Sequence, residues 1–353
     1  MNFDLLRHLP LLLKRRRLIP KLLRNYKKLL IDKRPVLRTV DFSVTFVCTC
    51  ECEHCYIQPL VDHTRTALDL EEKKRVIREL LELGAVAINF VGGEPLCDPD
   101  LEQLIASIPP SEGVAVVTTN GVLLDEALLD RLIEAGLGIL CVSLDEPDAA
   151  AHDAFRRRAG TFDQAMRAIV AAEQRGLECV INSVITEEKL LDGRAARLVE
   201  MAREQHAKIN LALPVPVGRW AKRGIERLSP AADAEMARLR RLSHVRWDGQ
   251  SNYLKPGCGA GVEKLAITAY GDVLPCGGIQ LTFGNVRDKP LRDIWRDMLA
   301  YPQFSHLTDR CPLSEDPDFI RRYLDPIERC EMPKPLPAEM VLGPRGDAPA
   351  DHE

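Results

Sequence analysis

From Val36 to about Pro214 this 353-residue chain repeats one pattern six times: a short apolar run, then a stretch whose apolar residues recur every three or four positions. The runs fall at about Leu37 to Thr45, Ala85 to Val91, Val114 to Thr118, Gly138 to Leu144, Glu178 to Ile185 and Lys208 to Leu213. Continuously apolar strands joined by helices pack as a parallel sheet with helices over it, so the pattern predicts six βα units of an α/β fold. Helix signals agree. Asp69 and Glu72 read as a capping pair before Val76, Ile77, Leu80 and Leu81, and Gly84 ends that helix. Thr161 and Gln164 read as a second cap, with Ala165, Met166, Ile169 and Val170 facing inward. Other helices are expected near Asp100 to Ile108, Glu126 to Ala135 and Arg194 to Glu204.

In parallel βα folds, ligands gather on the loops at the carboxyl ends of the strands. Those ends carry cysteines after the first run, Gly92-Gly93-Glu94-Pro95 after the second and Thr118-Thr119-Asn120-Gly121 after the third. Ser143, Leu144 and Asp145 close the fourth, and the fifth holds Asn182 and Ser183. Any one of these is an ordinary turn or cap. Their recurrence at one rim indicates a site.

The first of these loops is the most specific. Cys48, Cys52 and Cys55 stand in a C-x3-C-x2-C triplet. Thiolates are the usual ligands of iron–sulfur clusters, and a cubane has four irons, so three cysteines leave one iron open to another ligand. Structural zinc wants four ligands, commonly as two C-x2-C pairs, and only Cys52 and Cys55 make such a pair. Disulfides are not expected, because nothing resembles a cleavable secretory signal and a chain of this length can bury an ordinary core. Of the eleven cysteines, Cys141 and Cys179 lie in apolar runs and read as core; Cys50 and Cys97 have no evident role.

The charge is uneven. Residues 1 to 40 hold twelve Lys or Arg against two Asp, about +10, so the formal net charge of -4 leaves about -14 on the rest. No apolar run has the length of a membrane span. The arm, residues 1 to 35, reads as two short helices broken at Pro10 and Pro20, the second with Leu22, Tyr26, Leu29 and Leu30 on one face and Lys21, Arg24, Lys27 and Lys28 on others. Such a segment can lie on an anionic membrane, or pack its leucines onto the body with its lysines in water. Nucleic acid is not expected, since no basic stripe with interleaved aromatics continues into the body.

With the triplet, the G-G-E-P, the T-T-N-G, the V-S-L-D, the H-D-A-F-R and the I-N-S-V-I-T in this order, residues from about Asp41 to Pro214 resemble the radical S-adenosylmethionine (SAM) enzymes. The resemblance implies a partial (β/α)6 TIM-like barrel and a [4Fe-4S] cluster on Cys48, Cys52 and Cys55, with the amino and carboxylate groups of SAM on the open iron. It implies that Gly92, Gly93 and Glu94 receive the SAM amino group, that Thr119 and Ser143 lie near the ribose, that Arg156 pairs the SAM carboxylate, with Arg157 and Arg158 as competitors, and that Asn182 lies near the nucleoside. His54 departs from the family, which commonly has an aromatic residue there. The implied chemistry is reductive cleavage of SAM to a 5′-deoxyadenosyl radical that abstracts a substrate hydrogen, fed by a flavodoxin- or ferredoxin-like donor.

Beyond a charged helical bridge, about residues 229 to 250, the spacing of Cys258, Gly271 and Cys276, followed by Gly284-Asn285-Val286 and a helix with Leu291, Ile294 and Trp295, suggests a β-hairpin flanked by cysteines. It is similar to the SPASM and twitch extensions of the same enzymes, and implies a small domain over residues 251 to 332 with an auxiliary [4Fe-4S] cluster on Cys258, Cys276, Cys330 and Cys311. The tight cysteine block of full SPASM domains is absent. Zinc is the alternative ion for this site. Residues 333 to 353 read as a loose tail, leaving the barrel at residues 36 to 228. The expected protein is a cytoplasmic enzyme, at most at the inner face of the membrane, that oxidises or modifies a small molecule, lipid or peptide; a non-catalytic electron carrier or zinc scaffold is the rival.

Overall fold

The computed structural model of the chain describes residues 15–223, 228–247 and 252–344. Six strands, β1 (Thr39–Thr45), β2 (Ala87–Gly92), β3 (Val114–Thr119), β4 (Leu137–Ser143), β5 (Glu178–Val184) and β6 (Lys208–Ala212), lie side by side in chain order, each parallel to the next. Helices cover one face, where Phe42, Ile88, Phe90, Val117, Leu140 and Ile181 join a single large core. This is the expected fold. Asp69 accepts the Glu72 amide while Glu72 accepts the Asp69 amide, so the helix Leu70–Glu82 opens on a complete capping box.

The sheet extends past both ends of the six. Val245–Arg246 (β7) pairs beside β6, and Lys264–Ile267 (β8) pairs parallel to β1 from Thr39 to Phe42. Val273–Leu274 (β9) folds back antiparallel on β8, making the hairpin expected between Cys258 and Cys276. The carboxyl-terminal region is thus built onto the strand that leads into the cysteine loop. Residues 333 to 344 are folded rather than loose: Leu336–Pro337 pairs with Leu281–Thr282, and Leu336 is buried.

The cap on the helix Thr161–Gln174 differs from the expectation. Gly160 is its N-cap, and the Asp153 carboxylate accepts the amides of Gly160 and Phe162 and the Thr161 hydroxyl. A carboxylate from the preceding helix does what Thr161 was expected to do.

Within the arm, Pro20 sits in the first turn of the helix Ile19–Leu30, where its missing N–H is harmless; Pro10 lies outside the described residues. The helix packs at the amino ends of the strands. Leu18 and Leu22 meet Ala87, Val114, Val116, Ile139, Cys141 and Val180 on the sheet face opposite the helix layer. Asn25 donates to the Gly84 carbonyl and the Tyr253 hydroxyl. Lys21 is buried instead of solvated, donating to the Leu81 carbonyl at the end of Leu70–Glu82, and burial lowers its pKa to about 8. Among the described residues no helix is long and apolar enough to cross a membrane.

Candidate active site

The cysteine loop leaves β1 with few backbone partners of its own and is held by other elements. Arg158 donates to the Thr49 carbonyl at 2.7 Å and Asn120 to the Thr49 hydroxyl at 3.1 Å. The Glu53 amide bonds the Phe155 carbonyl, and the Arg219 guanidinium reaches the carbonyls of Glu51 and Cys52. Gly218 packs so closely that a Cβ there would lie 2.4 Å from the Cys55 carbonyl oxygen.

Gly92 and Gly93 serve this packing. Gly92, at φ 146°, would place a Cβ 2.0 Å from the Thr45 carbonyl oxygen, and Gly93 one 2.4 Å from that of Val47. The pair is therefore required by the close approach of the chain's own backbone. Glu94 follows, with its carboxylate buried. It accepts the Thr119 hydroxyl at 2.7 Å, the Asn120 amide at 2.8 Å and the Leu96 amide at 3.2 Å. Burial pushes its pKa up, opposed by these donors. Thr119 thus spends its hydroxyl on Glu94. Ser143 and Asn182 are directly opposite one another on β4 and β5, with Asn210 of β6 beyond, so three strands present a polar row at one level.

Of the three arginines, Arg156 is the buried one. It bonds the Asp145 carboxylate, and its other terminal nitrogen lies 3.6 Å from Cys52 Sγ. Arg158 is used on the loop backbone, and Arg157 is exposed at a left-handed turn. Asp145 is wholly buried and held ionised well below the ordinary carboxylate range, burial being outweighed by Arg156, Lys189 and the Val184 amide. Cys50 finds a place here, its amide donating to Cys48 Sγ at 3.4 Å; neighbouring Cys50 and the Arg156 guanidinium push Cys52 below the ordinary thiol range, while Cys50 is raised. Burial raises Cys48 to about 11. The guanidinium 3.6 Å from its sulfur favours the thiolate form of Cys52.

His54 stacks on Phe155 at 4.7 Å and lies 5.7 Å from the Trp220 ring. Burial lowers it to about 4, so it is neutral at pH 7. His54 Nδ1 and Arg156 Nε are both buried with no hydrogen-bond partner. Unmet buried polar atoms are costly, and two of them beside three cysteines at the rim fit a bound polar group there.

On the face away from the helices, a ladder crosses four strands. Lys264 of β8 pairs with Asp41 of β1 at 3.0 Å, Asn89 of β2 donates to Asp41 at 2.9 Å, and Thr118 of β3 donates to Asn89 at 2.8 Å. No local pattern could announce it, because each member comes from a different strand.

In the far region Cys258, Cys276 and Cys311 are drawn together. Cys258 and Cys311 perturb each other, Cys258 being lowered and Cys311 raised, and burial raises Cys276 to about 11 with its neighbour Cys311 adding to the rise. Among the described residues no hydrogen bond joins the Cys330 thiol to the trio; its carbonyl accepts from Lys334 at 2.6 Å. The two cysteine regions touch through Tyr56, whose ring lies 2.9 Å from where a Cβ on Gly277 would sit and whose carbonyl accepts from Gln280.

Comparison with known proteins agrees with this arrangement. Residues 42–191 match the radical SAM superfamily, and residues 258–318 match the SPASM iron–sulfur cluster-binding domain, a span that holds Cys258, Cys276 and Cys311 but not Cys330. The chain is 28% identical over 304 residues to the AdoMet-dependent heme synthase of Nitratidesulfovibrio vulgaris, covering 77% of this chain and 82% of that one. It is 27% identical over 280 residues to the PqqA peptide cyclase of Granulibacter bethesdensis, covering 74% of each. Streptococcus suis SuiB bound to its precursor peptide SuiA superposes with a TM-score of 0.62 at 19% identity, over 81% of this chain and 69% of that one.

Proposed function

The chain belongs to the radical SAM superfamily and is an enzyme that uses SAM and iron–sulfur clusters, and we propose that it abstracts hydrogen from an organic substrate bound in the barrel and completes a net oxidation or modification through the auxiliary cluster. The reading rests above all on the rim: three cysteines on a loop held open from outside, beside two buried polar atoms without partners. When bound, the cluster and SAM supply a 5′-deoxyadenosyl radical. The chain's own residues hold and shield them. Cys48, Cys52 and Cys55 carry the first cluster, Gly92, Gly93 and Glu94 face the SAM amino group, Ser143 and Asn182 face its nucleoside, and His54 with Phe155 closes the pocket against water. Cys258, Cys276 and Cys311 hold the auxiliary cluster, with Cys330 as the remaining thiolate. The barrel is residues 36–228 and the auxiliary unit residues 251–332, and a flavodoxin- or ferredoxin-like protein delivers the electron.

The substrate brings polar groups. The Lys264–Asp41–Asn89–Thr118 ladder suits a carboxylate- or amide-bearing molecule, such as a peptide segment or an acidic metabolite, better than an acyl chain. Anaerobic reconstitution followed by dithionite and SAM is expected to yield iron, sulfide and 5′-deoxyadenosine, with the nucleoside lost in Cys52→Ala. Stoichiometric zinc without iron, or clusters that never cleave SAM, would instead establish a scaffold or a carrier.

We also propose that the arm touches an anionic membrane. Ile19, Leu23 and Leu30 are exposed along one stripe of the helix, Ile31 follows, and Arg16, Arg17, Arg24 and Lys27 lie exposed around them. Because this helix lies at the amino ends of the strands, the contact would leave the cysteine rim facing the cytoplasm, so it does not argue for a lipid substrate. Flotation with anionic vesicles should fall several-fold in Leu23→Glu with Ile31→Glu and with added salt. Equal recovery of wild type and variant would end the membrane reading.

A further inference from the structure

Arg156 closes the helix Ala149–Arg156 and is fixed from two sides. One terminal nitrogen bonds the Asp145 carboxylate and the other faces Cys52 Sγ at 3.6 Å. Asp145 cannot follow it elsewhere. Its second oxygen accepts the Val184 amide at 2.8 Å, its own amide bonds His152 Nδ1 at 3.2 Å, and its carbonyl accepts Lys189 at 2.8 Å. The pair therefore stands as a buried dipole with its positive end on one sulfur of the triplet and its negative end on the side away from it. The resemblance alone assigned Arg156 to the carboxylate of SAM.

We propose that Arg156 is a positioning residue for the first cluster, which orients Cys52 and sets how readily the cluster is reduced, with Asp145 as the opposing charge. The proposal rests on the reading that Cys52 is a cluster ligand. Reduction adds one negative charge to the cluster; a guanidinium at a ligand sulfur favours that state, and a buried carboxylate close behind opposes it. Both groups are buried, so solvent and salt screen them little. Removing either one alone leaves the other uncompensated, so the two substitutions shift the equilibrium in opposite directions.

The test uses the reconstituted full-length enzyme without SAM, titrated with a potentiometric mediator set and followed by electron paramagnetic resonance, the auxiliary cluster serving as an internal reference. Arg156→Gln is expected to make the first cluster at least tenfold harder to reduce, 59 mV for one electron. Asp145→Asn is expected to make it easier by a similar factor, and the double variant to return toward wild type. Arg156→Lys, which keeps the charge if a single variant folds poorly, should lie between Gln and wild type. Unchanged potentials in both single variants, with SAM needed at higher concentration to perturb the first cluster's signal, would return Arg156 to the SAM carboxylate and overturn the proposal. Retention of the first cluster in Cys52→Ala would instead remove the ligand assignment beneath it.

Discussion

At the scale of single residues, the rim is a set of buried charges and neutral rings whose protonation the fold dictates. His152 is the clearest. Its Nδ1 accepts the Asp145 amide, so the folded protein needs that nitrogen unprotonated, and burial lowers its pKa to about 4. The unfolded chain takes the proton from about pH 6.5 downward while the folded chain refuses it until about 4. Stability contributed by neutral His152 is therefore complete above that window and falls as the pH drops through it, by up to about 1.4 kcal/mol per pH unit. Denaturant midpoints should decline from pH 6.5 to 4, and His152→Gln, which can still accept the amide, should flatten the decline; an unaltered slope would mean another group governs it. Thr119→Val tests the hold on Glu94. Losing one of three donors to a buried carboxylate should cost about 1–3 kcal/mol and raise the SAM concentration needed for half-saturation. A variant with unchanged stability would show that water replaces the hydroxyl.

At the scale of elements, the arm helix has two faces with different tasks. Leu18→Ala empties a site at the strand ends and should lower stability by about 2–4 kcal/mol, whereas the exposed Leu23→Glu should stay within about 0.5 kcal/mol. Equal losses would mean that both faces are buried. Deleting residues 1–35 would confound a membrane assay by uncovering the apolar strand ends, which is why point changes on the outer face are the better probe. This contrast also marks what the sequence could disclose. The six strands were legible to within two residues, because apolar runs and the Asp69–Glu72 cap are local signals. The cap from Asp153, the burial of Lys21, and the two-residue strand β7 were not, since each depends on a partner distant in the chain or on pairing too short to leave a pattern. The triplet and the residues of the rim were likewise readable by spacing. The hold of Arg158 and Arg219 on the loop, the lumen ladder and the grouping of Cys311 with Cys258 belong to the folded state alone.

At the scale of the whole molecule, the carboxyl-terminal region is continuous with the barrel. Four residues of β8 pair with β1, and Arg65 of the loop after the cysteines makes two bonds to Asp272 beyond the hairpin turn. One cooperative thermal transition is therefore expected for the full chain, and residues 36–228 expressed alone should aggregate, since β1 would become an open edge. A soluble, folded barrel fragment would show that the two regions are independent. The arginine lacing of the cysteine loop has a consequence for how the enzyme is made and kept. Since distant side chains already fix the loop's backbone, seating a cofactor there orders little additional chain. Iron delivery can then follow completion of the polypeptide, and a centre destroyed by oxygen can be rebuilt in place on the same molecule without its being unfolded.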